Sequence, residues 1–344
     1  MVNNNLFTPI SIRGVVFPNR IVVPPMCQYS AHEGYVDDWH LVNLGRFAIG
    51  GAGLIITEAT AVQKKGRITH GCPGLWTDAQ IVGHSRIAQF ISRNGAIPGI
   101  QLGHAGRKAS MQRPWHGNGP LNEDDFRRGD MPWKIVAPSA CSVGEGWEIP
   151  EELTIEEIHE LIDDFVTAAK RAVSAGYRVI ELHGAHGYLI HSFLSPISNQ
   201  RTDKYGGDLY GRMRLAIETS DALRQSIPDE IPLFFRVSST DNIDNGWSIE
   251  NSVKLAKELK QVGVDLIDCS SGGISGSATA AAGKRMPGYQ VPYAHEIKKN
   301  AEIMTMAVGL ITHPEQANHI IESEQADLVA VAREAFFNPM WAAQ

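Results

Sequence analysis

Eight short apolar runs constrain this chain more than any other feature: Ile21–Val23, Leu54–Thr57, Ile97–Leu102, Tyr177–Leu182, Leu233–Val237, Leu266–Cys269, Met304–Val308 and Leu328–Val331. Each reads as continuous rather than alternating, as strands covered on both faces do. Amphipathic helical stretches lie between them. Thr154 and Glu157 make a capping box, with Leu153 and Ile158 as its hydrophobic staple. Ile155, Ile158, Leu161, Ile162, Phe165 and Ala169 then follow a 3.6-residue period, and Gly176 stands where a left-handed cap belongs. Val253, Ala256, Leu259 and Val262, closed by Gly263, repeat the design. Asp78 is expected to cap a helix holding Ile81, Val82, Ile87, Phe90 and Ile91.

Eight βα alternations predict an α/β fold, a (β/α)8 TIM barrel, spanning residues 1–344 as one domain. A doubly wound sheet is the competitor. It would normally carry G-x-G-x-x-G after a strand, and neither that string nor a Walker A motif occurs. Gly50-Gly51-Ala52-Gly53 reads as a helix-to-strand turn. Ile10–Val16, around Arg13-Gly14, reads as an N-terminal hairpin that plugs the bottom of the barrel. After the third strand, residues 105–150 are rich in Gly, Pro, Trp and charge, and read as a lid or rim excursion within the domain.

Composition narrows the function. The net charge is −7 with no basic block, which argues against a nucleic-acid partner. No apolar run reaches membrane-span length, and Met1–Phe7 is too polar for a secretory signal. Cys27, Cys72, Cys141 and Cys269 form no C-x-x-C pair, which argues against a disulfide scaffold and against zinc or iron–sulfur clusters. A cytoplasmic location is expected.

Barrel chemistry sits at the C-terminal ends of the strands. Those ends supply Pro24-Pro25-Met26-Cys27-Gln28-Tyr29, Glu58-Ala59, Gln101 to His104, His183 to Tyr188, Arg236, Ser270 to Gly273, Gly309 and Ala332-Arg333. Carboxylates are almost absent, so the paired acids of a glycosidase are missing. His183 and His186 have no acidic third ligand nearby, which leaves no metal expected. Packed, hydrogen-bonded polar residues are the other reading of these histidines. Arg236 needs an anionic partner, either a flavin that gains charge on reduction or a structural salt bridge. Gly309 and Arg333 stand where barrels often hold phosphate.

The fourth strand carries a specific match. His183-Gly-Ala-His186-Gly-Tyr188-Leu, Phe193-Leu-Ser-Pro196 and Asn199-Gln-Arg201-Thr-Asp203-Lys-Tyr205-Gly206-Gly207 resemble the signature of the old yellow enzyme family. Pro25-Met26-Cys27, Gln101-Leu-Gly-His104-Ala-Gly-Arg107-Lys108 and Ala332-Arg333-Glu334 agree with it in order, over nearly the whole chain. The cysteine after Pro-Met and the short hairpin look like the thermophilic-like branch. The insert around Arg113-Pro114-Trp115 is similar to the xenobiotic reductases of that branch.

The resemblance implies an FMN-dependent ene-reductase using NADPH or NADH. Hydride would pass through flavin N5 to the β-carbon of an α,β-unsaturated carbonyl or nitro compound. Pro24, Pro25, Met26 and Cys27 would line the flavin near N5, Ala59 and Gln101 would meet its edge, and Arg236 would stabilise it near N1. Gly309, Ala332 and Arg333 would hold the phosphate. His183 and His186 would donate to the substrate carbonyl, Tyr29 would add a polar contact, and Tyr188 would deliver the proton. Cys27 would tune the flavin rather than act as a nucleophile.

A homodimer or homotetramer is implied as well. Relatives continue past the position of Gln344 with a residue that enters a neighbouring subunit's site. Ala332 replaces the family's usual Gly, which matters only if that position needs positive φ. Two alternatives stand beside this reading. A barrel lyase or aldolase on a phosphorylated substrate would need a Schiff-base lysine or a metal. A non-catalytic flavin-binding protein would have no use for intact His183, His186 and Tyr188.

Overall fold

Strands covered on both faces leave no edge free when they close on themselves, and eight of them do so in the computed structural model, which describes residues 5–276 and 285–343. Met1 and Gln344, the two ends named above, lie outside those residues. The chain opens with an antiparallel hairpin of β1 (Ile10–Ile12) and β2 (Val15–Phe17). The barrel strands follow in chain order: β3 (Ile21–Val23), β4 (Leu54–Ala61) and β5 (Ile97–Gly103). Residues 105–150 then contribute β6 (Val136–Ala137), which pairs in parallel with β7 (Glu151–Glu152). The barrel resumes with β8 (Val179–Gly184), β9 (Leu233–Ser238), β10 (Leu266–Ser270), β11 (Met304–Ala307) and β12 (Leu328–Ala330). All neighbours are parallel, and β12 returns to β3 to close the ring.

Helices α1 (Asp38–Ile49) and α2 (Ile81–Arg93) cover the first crossovers, and α3 (Glu123–Arg127) lies in the insert. Next come α4 (Ile155–Ala175), α5 (Leu189–Leu194), α6 (Leu209–Ser226) and α7 (Ile249–Gln261). The set ends with α8 (Val291–Ala301), α9 (Pro314–Glu322) and α10 (Arg333–Phe337). Helix α4 begins at the Thr154–Glu157 capping box and ends at Gly176 with φ +98°, as its sequence pattern requires. Helix α2 differs from expectation. Thr77, with extended backbone, makes the capping box with Gln80. Asp78 is already in the following turn and pairs with Arg171 at 2.6 Å instead. Among the described residues no helix is long and apolar enough to cross a membrane.

Alternation along each strand sorts side chains between two surfaces. Val179, Phe234 and Leu266 share an interior cluster with Ile12, Val15 and Phe17 of the hairpin. Ile180, Leu182, Phe235, Val237 and Ile267 join the outer cluster with the helices. The hairpin therefore does plug the bottom, with the Phe17 and Phe234 rings stacked at 6.4 Å. By the same alternation Gln101, Glu181, His183, Arg236, Asp268 and Ser270 point inward. Apolar packing fills the N-terminal half of the barrel, and polar groups fill the C-terminal half.

Strand ends differ from the sequence reading. β8 starts at Val179, because Tyr177 joins the outer core and its hydroxyl lies 3.1 Å from Thr57 Oγ1 and 2.9 Å from His84 Nδ1. β4 runs on to Ala61 through a register break between Thr57 and Thr60. Ala59 accordingly lies within a strand, not beyond it, and Gln101 lies within β5 as its run predicts.

Phe17→Ala should cost about 3–5 kcal/mol of stability in denaturant unfolding, because the barrel floor cannot collapse around the lost ring. A loss under about 1 kcal/mol would show that the hairpin does not complete the core.

Candidate active site

The loop after β8 builds the centre of the site. His186 holds φ +60° and Gly187 φ +75°. A Cβ on Gly187 would lie 2.2 Å from the Gly273 carbonyl oxygen, so only glycine fits there. The strained turn is tied from several directions. The His186 amide donates to Ser238 Oγ at 2.9 Å. Buried Lys108 donates through Nζ to the His186 carbonyl at 2.9 Å and to the Gly273 carbonyl. The Gly187 amide donates to His191 Nδ1 at 2.7 Å, which leaves the His191 proton on Nε2, 2.9 Å from Asp241 Oδ1. Ser195 Oγ and the Trp247 amide both donate to Asp241 Oδ2 at 2.7 Å.

That scaffold fixes the tautomer of His183 and restricts that of His186. His183 Nδ1 accepts from the Ala185 amide at 3.3 Å, so Nε2 carries the ring proton. His186 Nε2 lies 2.7 Å from Ser270 Oγ. When that hydroxyl donates to the ring, His186 Nδ1 is the free N–H. Burial, then the Arg236 charge, hold both imidazoles well below their ordinary range, so each is neutral with one N–H. The His183 ring meets His186 edge-on at 5.3 Å and Tyr188 at 4.8 Å. Burial, then the neighbouring Cys27, push the Tyr188 phenol well above its usual range, which keeps its proton in place.

Cys27 and Tyr29 complete one wall. With Ala59 they pack on an apolar cluster that includes Tyr188 and Cys72. Burial, then the Glu58 carboxylate, push the Cys27 thiol well up, which argues against a nucleophilic thiolate. Tyr29 sits at φ +51°, its phenol raised by burial and then by Cys27, with its ring edge-on to Trp115 at 6.2 Å. Pro24 is buried just after β3, and Met26 packs against the main core. Pro25 is half-buried between them. Cys72 and Cys269 are buried, but Cys141 is only half-buried, because the insert exposes it beside Arg107.

Arg236 has one of the two partners considered for it. Its Nε lies 3.0 Å from Asp268 Oδ2, so a structural ion pair exists. It also lines an open cavity, together with Ser270, Tyr289, Gly309, Ala332 and Arg333. Gly309 has φ +125°, and a Cβ there would sit 3.1 Å from the Tyr289 ring. Ala332 has φ −96°, so the position does not need the positive φ that favours glycine. A cavity with one guanidinium inside the barrel and a second, exposed at the rim, fits a polar aromatic ring bearing a phosphate.

Reading strand ends alone missed the buried carboxyls Glu181 and Asp268, which lie inside the strands. It also missed Ser238, Ser270, His191 and Asp241 as supports of the histidine loop. The available signal was that Ser238 and Ser270 end barrel strands. Lys108 is the lysine that comes near the histidines, but its Nζ is committed to two carbonyls.

The model of the family described as NADH:flavin oxidoreductase / NADH oxidase matches residues 5–344. An NADH:flavin oxidoreductase of Gibberella zeae is 45% identical over 98% of this chain and 84% of its own length. An NADPH dehydrogenase of Bacillus velezensis is 44% identical over 98% of this chain and 93% of its own. The solved old yellow enzyme homologue of Zymomonas mobilis superimposes with a TM-score of 0.78 at 25% identity, covering 97% of this chain and 90% of that one.

Acid should destabilise the protein. Burial holds His84 down to about 4 and His104 to about 3, with His183 and His186 lowered too. Below the unfolded value of about 6.5 the unfolded chain therefore binds protons at these four sites that the native state refuses. Glu58 and Glu181, raised by burial to about 8, act in the opposite sense. The imidazoles outnumber them, so the melting temperature should fall from about pH 6.5 to 5. A flat or rising melting temperature over that window contradicts this proton inventory.

Proposed function

This chain belongs to the NADH:flavin oxidoreductase / NADH oxidase family, and on that premise we propose that it reduces carbon–carbon double bonds conjugated to a carbonyl or nitro group. It is an FMN enzyme of the old yellow type that draws its electrons from NAD(P)H. One arrangement carries the finer reading: at one barrel mouth the His183 ring lies 5.3 Å from that of His186 and 4.8 Å from that of Tyr188, with burial favouring neutral imidazoles and a protonated phenol.

Bound FMN supplies the hydride relay, from the nicotinamide through N5 to the β-carbon. The protein's residues do the rest. His183 Nε2–H and His186 Nδ1–H donate to the substrate oxygen, where negative charge develops; each such donor is worth on the order of 10²–10³ in rate. Ser270 Oγ, 2.7 Å from its Nε2, aims the second imidazole and donates to that nitrogen when Nδ1–H faces the substrate. Tyr188 gives its proton to the α-carbon. Tyr29 adds a polar contact, and the neutral Cys27 thiol modulates the ring beside it. Pro24, Pro25, Met26, Ala59 and Gln101 would line the ring, Arg236 would stabilise its reduced form, and Gly309, Ala332 and Arg333 would hold the phosphate.

We extend the reading to a homodimer or homotetramer. Trp39 and Val42 on α1, 57% and 68% exposed, leave an apolar surface that association would cover.

The purified protein should be yellow, bleach anaerobically with NADPH and recolour when cyclohexenone is added. Replacing both His183 and His186 by Ala should abolish recolouring while FMN stays bound; near-normal turnover by that variant contradicts the donor assignment. Tyr188→Phe should slow reoxidation by the enone about 10²–10⁴-fold and leave reduction by NADPH nearly unchanged in stopped flow. Equal effects on both half-reactions would remove Tyr188 as the proton donor.

A further inference from the structure

Two carboxyls lie inside the barrel where the proposed reaction gives them no part. Glu181 on β8 and Asp268 on β10 point inward, one inward position below His183 and Ser270, and both are fully buried. Gln101, on the adjacent β5, donates through Nε2 to Glu181 Oε1 at 2.8 Å. Asp268 pairs with Arg236 across the β9–β10 register, Oδ2 to Nε at 3.0 Å. Glu181 Oε2 has no hydrogen-bond partner among the described residues, and Asp268 is held by its ion pair with Arg236 rather than by a hydrogen bond.

The charges do not balance: two carboxyls face one guanidinium. Gln101, from β5, is neutral. His183 and His186, above, are neutral as well, because burial and Arg236 depress their protonation. Ionising both carboxyls would leave a buried negative charge uncompensated, a costly state that a single proton removes. Glu181 is the better holder of that proton, since its partner is an amide and the partner of Asp268 is a cation. Burial, with the Asp268 carboxylate second, pushes Glu181 up to about 8; burial raises Asp268 as well, but there the Arg236 charge pulls it back down.

We propose that Glu181 and Asp268 form a proton-holding pair beneath the flavin site: neutral Glu181 fixes the Gln101 amide, and ionised Asp268 offsets Arg236. Both are positioning residues. The inference rests on the reading that the FMN ring lies over Gln101 and Arg236. The pair then sets the net charge beneath the ring. When Glu181 ionises, a second negative charge appears there and reduction becomes harder.

The test is the midpoint potential of the holoenzyme between about pH 6 and 10. The wild type should show an extra downward bend near pH 8. Glu181→Gln should abolish the bend and follow the acid-side line of the wild type. Glu58→Gln, at the other carboxyl raised to about 8, should keep it. Asp268→Asn should raise the potential at every pH and move the bend to lower pH. A colourless wild type would sink the flavin reading itself. A yellow wild type whose curve coincides with that of Glu181→Gln would overturn the pair. If Glu181→Gln does not fold, an Asp268→Asn curve coincident with the wild type does the same.

Discussion

Closure of the sheet, where β12 pairs with β3 through Val329 with Ile21 and Ala330 with Val22, is the constraint on which everything else depends. A closed parallel barrel has no edge and only one interior. Every inward side chain must share that interior with the inward side chains of the other strands. At one end the solution is apolar, and the β1–β2 hairpin seals it with Phe17. At the other end the interior is left polar, and the polar groups have to satisfy one another or a ligand.

That requirement explains why the site is so densely cross-tied. A neutral, correctly protonated histidine at a barrel mouth is not a property of histidine alone. His183 takes its tautomer from a backbone amide two residues on, and His186 takes its environment from Ser270, two strands away. The loop between them stays in a left-handed turn because Lys108, reaching in from the segment after β5, and His191, backed by Asp241, hold it. The segment of residues 105–150 thus begins as part of the catalytic scaffold. Arg107 and Lys108 anchor it through carbonyls of Ser142, Ile274, His186 and Gly273 before it runs outward toward Trp115.

Charge inside the barrel follows the same logic. Arg236 could not remain buried without a counter-ion, and Asp268 supplies one from the neighbouring strand. The cation is therefore already partly compensated before any ligand binds, and its effect on a bound ring depends on the protonation of its neighbours. The proposed phosphate site is more separable. Gly309 clears the way for a close approach, and Arg333 stays exposed at the rim.

Much of this was legible in the sequence, for a physical reason: strand runs, helix periods and caps are local, and so are the motifs at strand ends. The eight runs predicted eight barrel strands, Thr154 and Gly176 marked the ends of a helix that forms between them, and the His183–Tyr188 motif marked the chemical end. Local patterns failed where a distant partner decided the outcome. Asp78 resembles a cap, but Thr77 has the extended backbone and Arg171 takes the aspartate. Tyr177 resembles the start of a strand, but Thr57 and His84 draw its hydroxyl into the outer layer. Glu181 and Asp268 read as interior residues of apolar runs, and only the closed barrel puts them in one layer with Gln101 and Arg236. The sequence by itself determined the barrel, the cofactor end and the residue types at the mouth, because these follow from periodicity and short motifs. Tertiary structure alone decided which nitrogen carries a proton, which carboxyl meets which cation and what each loop is tied to, because those depend on contacts between strands far apart in the chain.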